Sequence, residues 1–450
     1  MKKIRNLSES NFLKLLFAFL TVCFLVAAVC MPDRNTMFSG LWSILSNPSK
    51  ISANYFAIGG FSATFLNMGL VALICLGLYC LPGAVVNNVS TLAYILTLGF
   101  CSWGINIINI WPSFLGVVIY ALVKREKIPT LVNAMLFSTG IAPLITDLMI
   151  RYLTPETIGY SWQGILLATF VGICIGFFLP AGLAYSPKVH KGFDLYSAAL
   201  PIGMTAFFLN GILYKTMGRD LPKAMDTLME GSMQVTDQLT VNIFCITVFG
   251  ICIIAAFILG CRPKDYWKLL IDPDLVTNFS STYGNATFLM NVGVYGLMIL
   301  GYYNLIGAPF NAITFGIIFC MLATCNSGSH PGNVWPIMLG YVVAPLVFGW
   351  ISPLVGGNFT LGINAQAICV GLCYANGLSP IADKYGWFYG FLASVMHYLL
   401  VTSVPTLHGG FCLYNGGFTA ALICLILVPE LERFFRTKEE RKEARLAKKN

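Results

Sequence analysis

Asn109-Ile110-Trp111-Pro112 and Asn333-Val334-Trp335-Pro336 are two versions of one short sequence, 224 residues apart, and they decide the fold. The match extends without a gap over residues 67–123 and 291–347. About 20 of the 57 aligned positions are identical, and Gly, Asn, Trp and Pro are among them. Chance similarity between apolar stretches would match Leu and Val instead. The chain therefore contains an internal duplication, which in a membrane protein is typical of transporters and channels.

The composition indicates a membrane protein. Hydrophobic residues make up 57% of the 450 residues, charged residues make up 10%, and the mean hydropathy is +0.75. A soluble domain carries roughly 25% charged residues, so lipid must cover most of this surface. The predicted fold class is all-α, a polytopic α-helical integral membrane protein.

Apolar runs near the ~20 residues needed to cross the hydrocarbon core recur along the whole chain. We predict about fourteen spans, which are 12–31, 55–81, 85–103, 106–123, 129–149, 162–183, 194–213, 239–260, 280–303, 308–325, 334–351, 361–380, 387–404 and 411–429. If the pair at 85–123 is a re-entrant hairpin in both copies, each copy loses two spans. The count is then ten to twelve spans plus the hairpins.

The basic residues orient the chain. Cytoplasmic loops of membrane proteins are enriched in Lys and Arg. A cytoplasmic N-terminus puts 20 of the 27 basic residues inside and six outside, with Lys14 in the first span. Cys30-Met31-Pro32-Asp33 is a poor cleavage site, so the first apolar run is predicted to be an uncleaved span. These patterns predict a multi-pass protein of the bacterial inner membrane with both termini in the cytoplasm.

The two copies should be inverted relative to each other. Seven spans per copy is an odd number, so the second copy enters the membrane upside down. The basic cluster Lys124–Lys127 aligns with the neutral stretch Phe348–Ser352, as inversion predicts. The predicted division is a first transmembrane repeat at 1–213, an outside connector at 214–238, a second repeat at 239–429 and a basic cytoplasmic tail at 430–450. The tail favours contact with anionic lipid over binding of nucleic acid.

Signatures of common catalytic chemistry are missing from the sequence. It has no HExxH, no GxSxG, no P-loop and no GxGxxG opening a helix after a strand. The four His are too few for a multi-histidine metal site, and the 15 Cys are scattered through apolar runs without metal-binding spacing. We predict no cofactor, no metal and no catalytic residue. Function is sought among the polar residues at membrane depth, where they are energetically expensive.

A first group of candidates lies in the duplicated segments after Gly60 and Gly284. Copy one supplies Thr64 and Asn67, and copy two supplies Thr287 and Asn291. Small residues beside Thr and Asn can interrupt a helix, so that freed carbonyls and amides line a solute site. The alternative is close helix packing with an interhelical hydrogen bond from the Asn. The sequence leaves both open.

A second group lies in the turn between the paired spans. It contains Asn109 in copy one, and in copy two it contains Asn326, Ser327, His330 and Asn333. A run so rich in Asn, Ser, Gly and Pro cannot remain a lipid-facing helix. It is either an aqueous turn or a broken helix that lines a cavity. The repeated Asn-x-Trp-Pro favours the cavity, because a bare turn would not need it.

The third group comes from the most specific short motif, His190-Lys191-Gly192-Phe193-Asp194-Leu195-Tyr196, which returns at His408–Tyr414. His190, His408 and Tyr414 are candidates for solute contact or proton relay. The alternative is an interfacial anchor with a turn at glycine. Asp147 and Asp383 follow Gly-x-x-Pro in each copy and are weak candidates for ion or proton coupling. Each has a basic neighbour, so a surface ion pair is the favoured alternative.

These motifs resemble those of an uncharacterised family of bacterial polytopic membrane proteins, classed as a domain of unknown function. The resemblance covers nearly the whole chain and implies neither a substrate nor catalytic residues. A 7+7 inverted arrangement is also similar to the nucleobase and anion transporter fold. Urea-transporter-like channels are similar in being built from inverted repeats. Both of these similarities are at the level of fold only.

The sequence therefore predicts a permease for a small polar solute, bound at the interface of the two repeats. A channel for a small neutral solute is the alternative within transport. A membrane-embedded enzyme or receptor scaffold is the alternative from another class, with His330, His408 and Cys325 as the available groups. The expected partners are the bilayer and a solute moving alone or with H⁺ or Na⁺, and a homo-oligomer is left open.

Overall fold

The computed structural model describes residues 7–48, 53–222, 235–272 and 274–448, and these residues form helices joined by short turns. The helices of the first half are α1 Glu9–Cys30, α2 Met37–Leu45, α3 Tyr55–Tyr79, α4 Asn88–Phe100, α5 Trp111–Lys124, α6 Val132–Ser138, α7 Ala142–Ile150, α8 Trp162–His190 and α9 Ala199–Asn210. A π-helical turn, Gly211–Thr216, continues α9. Residues 223–234 of the predicted connector lie outside the described residues.

The second half repeats this order. Its helices are α10 Val235–Ile258, α11 Pro263–Leu270, α12 Phe279–Thr282, α13 Asn285–Leu305, α14 Ala312–Leu322, α15 Pro331–Leu354, α16 Gln366–Ala375, α17 Ser379–Tyr385, α18 Trp387–Val401, α19 Val404–Leu407, α20 Asn415–Phe434 and α21 Lys438–Ala447. The aligned glycines Gly60 and Gly284 both have positive φ, 86° and 85°. Gly60 kinks α3 and Gly284 precedes α13, so the duplication in the sequence is also a duplication of backbone shape.

Seven helices among the described residues are long and apolar enough to cross a membrane, and four shorter apolar helices accompany them. The predicted count of fourteen spans is not confirmed. The predicted spans 85–103 and 308–325 correspond to α4 and α14, helices of only 13 and 11 residues. The predicted spans 129–149 and 361–380 are interrupted by 3₁₀ turns at Thr139–Ile141 and Asn376–Leu378. Hydropathy did not reveal the two breaks because their few polar residues, such as Thr139 and Asn376, lie between long apolar stretches.

The helices form two groups with α4 and α14 between them. In the first group α1 packs on α3 and α10 packs on α13; in the second α5 packs on α8 and α15 on α18, while α9 and α16 pack on α20. An aromatic cluster ties α14 to the first group, with ring centroids 5.0–6.4 Å apart, and consists of Phe24, Phe65, Phe244, Phe315 and Phe319. The two short helices are therefore enclosed by protein.

The outer surface is apolar and has tryptophan near helix ends. Long helices expose Val22, Phe170, Phe178, Ile254 and Leu346, among others. Seven of the eight Trp side chains are at least 42% exposed, and Trp103, at 1%, is the exception. Tryptophan prefers the boundary between lipid and water. This surface suits a bilayer and makes the single buried tryptophan stand out.

Candidate functional site

Each duplicated turn is closed by an asparagine from the long helix beside it. The amide nitrogen of Asn67 donates to the carbonyl oxygens of Cys101 and Ile105, at 2.7 and 2.9 Å. Its counterpart Asn291 donates to Cys325 and Ser329, at 2.8 and 3.0 Å. Their side-chain oxygens accept from the Ile107 amide and the Tyr266 hydroxyl. The two amides are therefore occupied by the protein's own backbone.

A second asparagine folds each turn from within. Asn109 donates to the Gly104 carbonyl and accepts from the Asn106 amide, and Asn333 does the same with Gly328 and His330. The remaining amide proton differs between the copies, because Asn109 bonds the Thr146 hydroxyl at 3.0 Å whereas Asn333 bonds the Asp383 carboxylate at 2.5 Å. The repeated scaffold thus carries a neutral contact in one copy and an acidic one in the other.

The two short helices cross each other in opposite directions. A Cβ at Gly99 would overlap the backbone of Gly316, and a Cβ at Gly316 would overlap that of Gly99. Ser102, just after α4, donates to the carbonyl of Ala312 at the start of α14, at 2.7 Å. Asn326, just after α14, donates to Thr91 near the start of α4, at 3.2 Å. The crossing therefore depends on two glycines that let the backbones touch.

In each copy a short turn interrupts one helix, and a segment of the other copy donates a hydrogen bond to that turn. The carbonyl of Gly140, in the turn between α6 and α7, accepts from the Leu413 amide at 2.8 Å. The carbonyl of Gly377, between α16 and α17, accepts from the Leu195 amide at 3.1 Å. The segment after each motif histidine therefore pairs with the opposite half. Broken helices that meet around an interior are a feature of transporter solute sites.

The two motif tyrosines have different surroundings. The Tyr196 hydroxyl contacts the carbonyls of Cys320 and Cys373 and the side-chain oxygen of Asn376, at 2.8–3.0 Å. The hydroxyl of its counterpart Tyr414 is buried beside Thr139 and makes no hydrogen bond of good geometry. One tyrosine holds a broken helix in place, whereas the other has hydrogen-bonding capacity to spare.

A buried aromatic centre collects several such unpaired groups. Phe100, at the end of α4, lies 5.2 Å from Trp103, 6.2 Å from Tyr374 and 5.5 Å from Tyr414, measured between ring centroids. The Trp103 Nε1–H and the hydroxyls of Tyr374 and Tyr414 have no hydrogen-bond partner. All three side chains are at most 1% exposed. A buried unpaired polar group costs roughly 1–3 kcal/mol, so this centre is the strongest candidate for a place where a solute binds.

The predicted histidines lie at three separate places. The Nδ1 atom of His330 accepts a hydrogen bond from the Gly332 amide at the start of α15, and the Nε2 atom of His330 is unpaired. In copy one, Asn106 accepts the equivalent hydrogen bond from the Ile108 amide. His190 contacts Ser197 at 2.9 Å. His408 has no partner at either ring nitrogen and packs edge-on against Phe418, with 5.2 Å between centroids. The structure does not gather these histidines into one cluster.

The predicted acids are buried, so the surface location favoured from the sequence is wrong, although Asp147 does pair with its basic neighbour Arg151. Asp147 is 0% exposed and receives two hydrogen bonds from Arg151, at 2.6 and 2.9 Å, and one from Tyr214 at 2.5 Å. Asp383 is held by Asn333 rather than by its neighbour Lys384. A buried pair of this kind specifies geometry more than it adds net stability.

The basic tail reaches the acidic side of the second turn. Arg441 of α21 donates to the Tyr385 carbonyl at 2.5 Å, next to α17. The pKa of Lys438 lies below its ordinary value because the side chain is partly buried. The nearby carboxylate of Asp383 opposes this shift. The tail therefore covers one end of the molecule, close to the Asn333–Asp383 contact.

The remaining predicted residues stay near these turns. Thr64 donates to the Gly60 carbonyl of its own helix at 2.8 Å. Thr287 is buried and lines a cavity of about 490 Å³ beside Arg262. Asn326 accepts from the Ser280 amide, and Ser327 donates to the Asn88 carbonyl. Among the described residues no group of three or more His, Cys, Asp or Glu is arranged to hold a metal ion.

Several residues of the site were not singled out from the sequence. Trp103, Tyr374 and Asn376 looked like ordinary span residues. Asp194 was seen only as part of a motif, yet it is 1% exposed and has one carboxylate oxygen without a partner. The repeated Gly-x-x-Pro at Gly140 and Gly377 was the available signal for the broken helices. No local pattern pointed to the partners that these breaks receive.

An all-helical chain with seven helices of membrane-spanning length, an apolar surface and a polar interior belongs to the class of helical membrane proteins. The chain is a member of the family described as "Protein of unknown function (DUF1576)", which matches residues 33–215 and 262–433. The resemblance to an uncharacterised family is thereby confirmed. No curated protein and no solved structure matches the chain.

Proposed function

We propose that this protein is a permease of the bacterial inner membrane that carries a small polar solute between two inverted repeats. The observation that carries the proposal is the buried aromatic centre with its unpaired polar groups, set between two swapped, broken helices. Buried polar groups in a structural core are normally hydrogen-bonded within the protein, whereas those of a binding site pair with the solute. The two groups of helices on either side can move relative to each other around this centre.

Inversion of the repeats is supported by the antiparallel crossing of α4 and α14. Equivalent helices of two parallel copies would run in the same direction, whereas Ser102–Ala312 and Asn326–Thr91 join opposite ends. Each turn is clamped by an Asn seven residues beyond the aligned glycine, roughly 10 Å along the helix. That depth favours re-entrant hairpins, because irregular backbone inside the hydrocarbon layer must be enclosed by protein or line a cavity.

Orientation is the second part of the proposal. The excess of Lys and Arg in the predicted inner loops and tail favours both termini in the cytoplasm. In that orientation Asp383, His330 and the tail face the cytoplasmic side, and His408 and the Asp147–Arg151 pair face the outside. Asp194 and Asp383, both buried and without an ion pair within 4 Å, are the proposed groups for coupling to H⁺ or Na⁺.

The test uses the purified full chain in two steps. A thermal-shift screen of small polar metabolites, with and without Na⁺ and at two pH values, selects compounds that stabilise the protein. Each selected compound is then tested for counterflow in proteoliposomes. Saturable counterflow is expected for a carrier. Flux that never saturates would favour a channel, and chemical conversion without flux would favour an enzyme; either result contradicts the carrier proposal.

A further inference from the structure

We propose that the buried centre selects a flat, uncharged heteroaromatic solute that carries at least one hydrogen-bond acceptor. This inference rests on the proposed function and names the class of its substrate. It follows from three properties of the centre, namely the shape of its walls, the kind of polar atoms it leaves unpaired and the absence of charge beside them.

The walls are aromatic rings on a backbone of small residues. Phe100 contacts Trp103, Tyr374 and Tyr414 at 5.2–6.2 Å between ring centroids, and the two tyrosines lie 6.2 Å from each other. The ring of Tyr374 lies on Gly416 and Gly417, and the ring of Tyr414 lies on Gly140. Ring faces give favourable offset or edge contacts to another flat ring and poor contacts to a branched aliphatic molecule. Shape therefore favours a planar solute.

The unpaired atoms define the polarity of the solute. Trp103 Nε1–H can only donate, whereas the hydroxyls of Tyr374 and Tyr414 can donate or accept. A solute must therefore offer an acceptor to Trp103, and it can offer either kind of group to the tyrosines. A purely apolar ring would leave all three groups unpaired, which argues against benzene-like molecules.

Charge is missing from this part of the interior. The four buried acids among the described residues are Asp147, Asp194, Asp272 and Asp383, and Asp147 is already paired with Arg151. Asp194 lies beside Gly377, where its carboxylate accepts a hydrogen bond from the Tyr196 amide. Among the described residues no Lys or Arg is fully buried, and Arg151, whose side chain is 12% exposed, is already paired with Asp147. An ionised solute would have no counter-charge at the rings, so the solute is neutral where it binds.

The experiment compares two ligands that differ in flatness and share one amide group. 2-Pyridone is planar and aromatic, and 2-piperidone is its saturated, puckered counterpart. Binding of each to the full chain in lipid nanodiscs is measured by calorimetry, with thermal shift as a second readout. We expect 2-pyridone to bind and to raise the Tm, and 2-piperidone to bind at least tenfold more weakly. Equal affinities would overturn the role of the rings.

Isosteric variants separate binding from folding. Tyr374→Phe and Tyr414→Phe each remove a hydroxyl that makes no hydrogen bond in the closed protein, so the Tm without ligand should not fall. Each should weaken 2-pyridone binding about tenfold, the equivalent of one neutral hydrogen bond. Tyr196→Phe is the matched control in the other copy. It removes a hydroxyl that the fold uses, so it should lower the Tm and leave the affinity within about threefold.

The outcomes distinguish this inference from the proposed function. Unchanged 2-pyridone affinity in both variants, with normal Tm values, would move the site away from the rings. Uracil serves as a second flat, neutral heteroaromatic probe. If an aliphatic solute shows saturable counterflow while neither 2-pyridone nor uracil binds, the permease proposal stands and the heteroaromatic class is wrong. If binding of 2-pyridone is confirmed but no flux is seen with it or with uracil, the binding site stands and the permease proposal fails.

Discussion

At the scale of single residues, the duplicated asparagines show how a polar side chain at membrane depth can serve the fold. Asn67 and Asn291 lie in apolar helices. The side-chain amide of each donates hydrogen bonds to two carbonyl oxygens of a non-helical turn. Without that amide the carbonyls would be buried without partners. These residues explain why a polar turn can persist in an apolar interior.

Replacing either asparagine should therefore destabilise the protein. Asn67→Ala or Asn291→Ala leaves two buried carbonyls unpaired, and we expect a loss of about 2–4 kcal/mol in unfolding free energy. Equilibrium unfolding in mixed micelles measures the loss. Asn364→Ala, at an exposed asparagine, should change stability by less than ~0.5 kcal/mol. A change at Asn67 or Asn291 no larger than at Asn364 would show that the clamps are dispensable.

The contrast between Tyr196 and Tyr414 belongs to the same scale. The Tyr196 hydroxyl contacts three hydrogen-bond acceptors, whereas the Tyr414 hydroxyl, beside Thr139, makes no hydrogen bond of good geometry. His190 and His408 differ in the same direction, because the first contacts Ser197 and the second contacts no polar group. The polar groups of copy one are used within the fold, and those of copy two are left without such partners.

At the scale of elements, the crossing of α4 and α14 is a tightly constrained contact between the two halves. It brings the backbones together at Gly99 and Gly316, where any side chain would overlap a carbonyl oxygen. Close approach through small residues is the usual way for helices to associate inside a membrane. The hairpins are consequently fixed to each other, and motion is expected in the helices around them.

Substitution at the crossing should prevent the native fold. Gly316→Ala adds a methyl group that meets the Gly99 carbonyl and the Ser102 hydroxyl, and backbone cannot move aside cheaply. We expect a Tm lower by at least 5 °C and a loss of monodisperse protein in gel filtration. Gly77→Ala and Gly301→Ala are matched controls, because these aligned glycines have no atom within 4 Å of the added Cβ. Similar Tm values for Gly316→Ala and the two controls would refute tight packing at this crossing.

At the scale of the whole molecule, the two halves are interleaved rather than set side by side. The segment after His190 pairs with the break at Gly377, and the segment after His408 pairs with the break at Gly140. Neither half can close its broken helix without the other. A carrier built in this way would couple the two breaks mechanically, because each is filled by the opposite repeat.

The proposed inversion of the repeats makes a direct prediction about labelling. Lys188→Cys and Thr406→Cys place thiols at exposed positions just before the two motif histidines. In a background without reactive cysteines, a membrane-impermeant maleimide added to intact cells should label Thr406→Cys and not Lys188→Cys. Everted vesicles should give the reverse. Labelling of both positions from the same side would show that the repeats are parallel, and the proposed permease with two inverted repeats would fail with it.

The sequence by itself determined the class of the protein, its duplication and the polar turns. Charge content and apolar runs report the solvent around each segment, and here that solvent is lipid. The matched Asn and Gly positions indicated where the backbone departs from a simple helix. These properties are local, so one chain read in order is enough to find them.

Only the tertiary structure decided the broken helices, the exchange of segments and the partners of each polar group. Asp147 looked like half of a surface pair and is buried, whereas Trp103 looked like a span residue and is the one buried tryptophan. Whether a hydroxyl such as that of Tyr414 is paired depends on residues far away in the chain. Hydrogen bonding inside a membrane protein is settled by three-dimensional proximity, which composition and spacing do not encode.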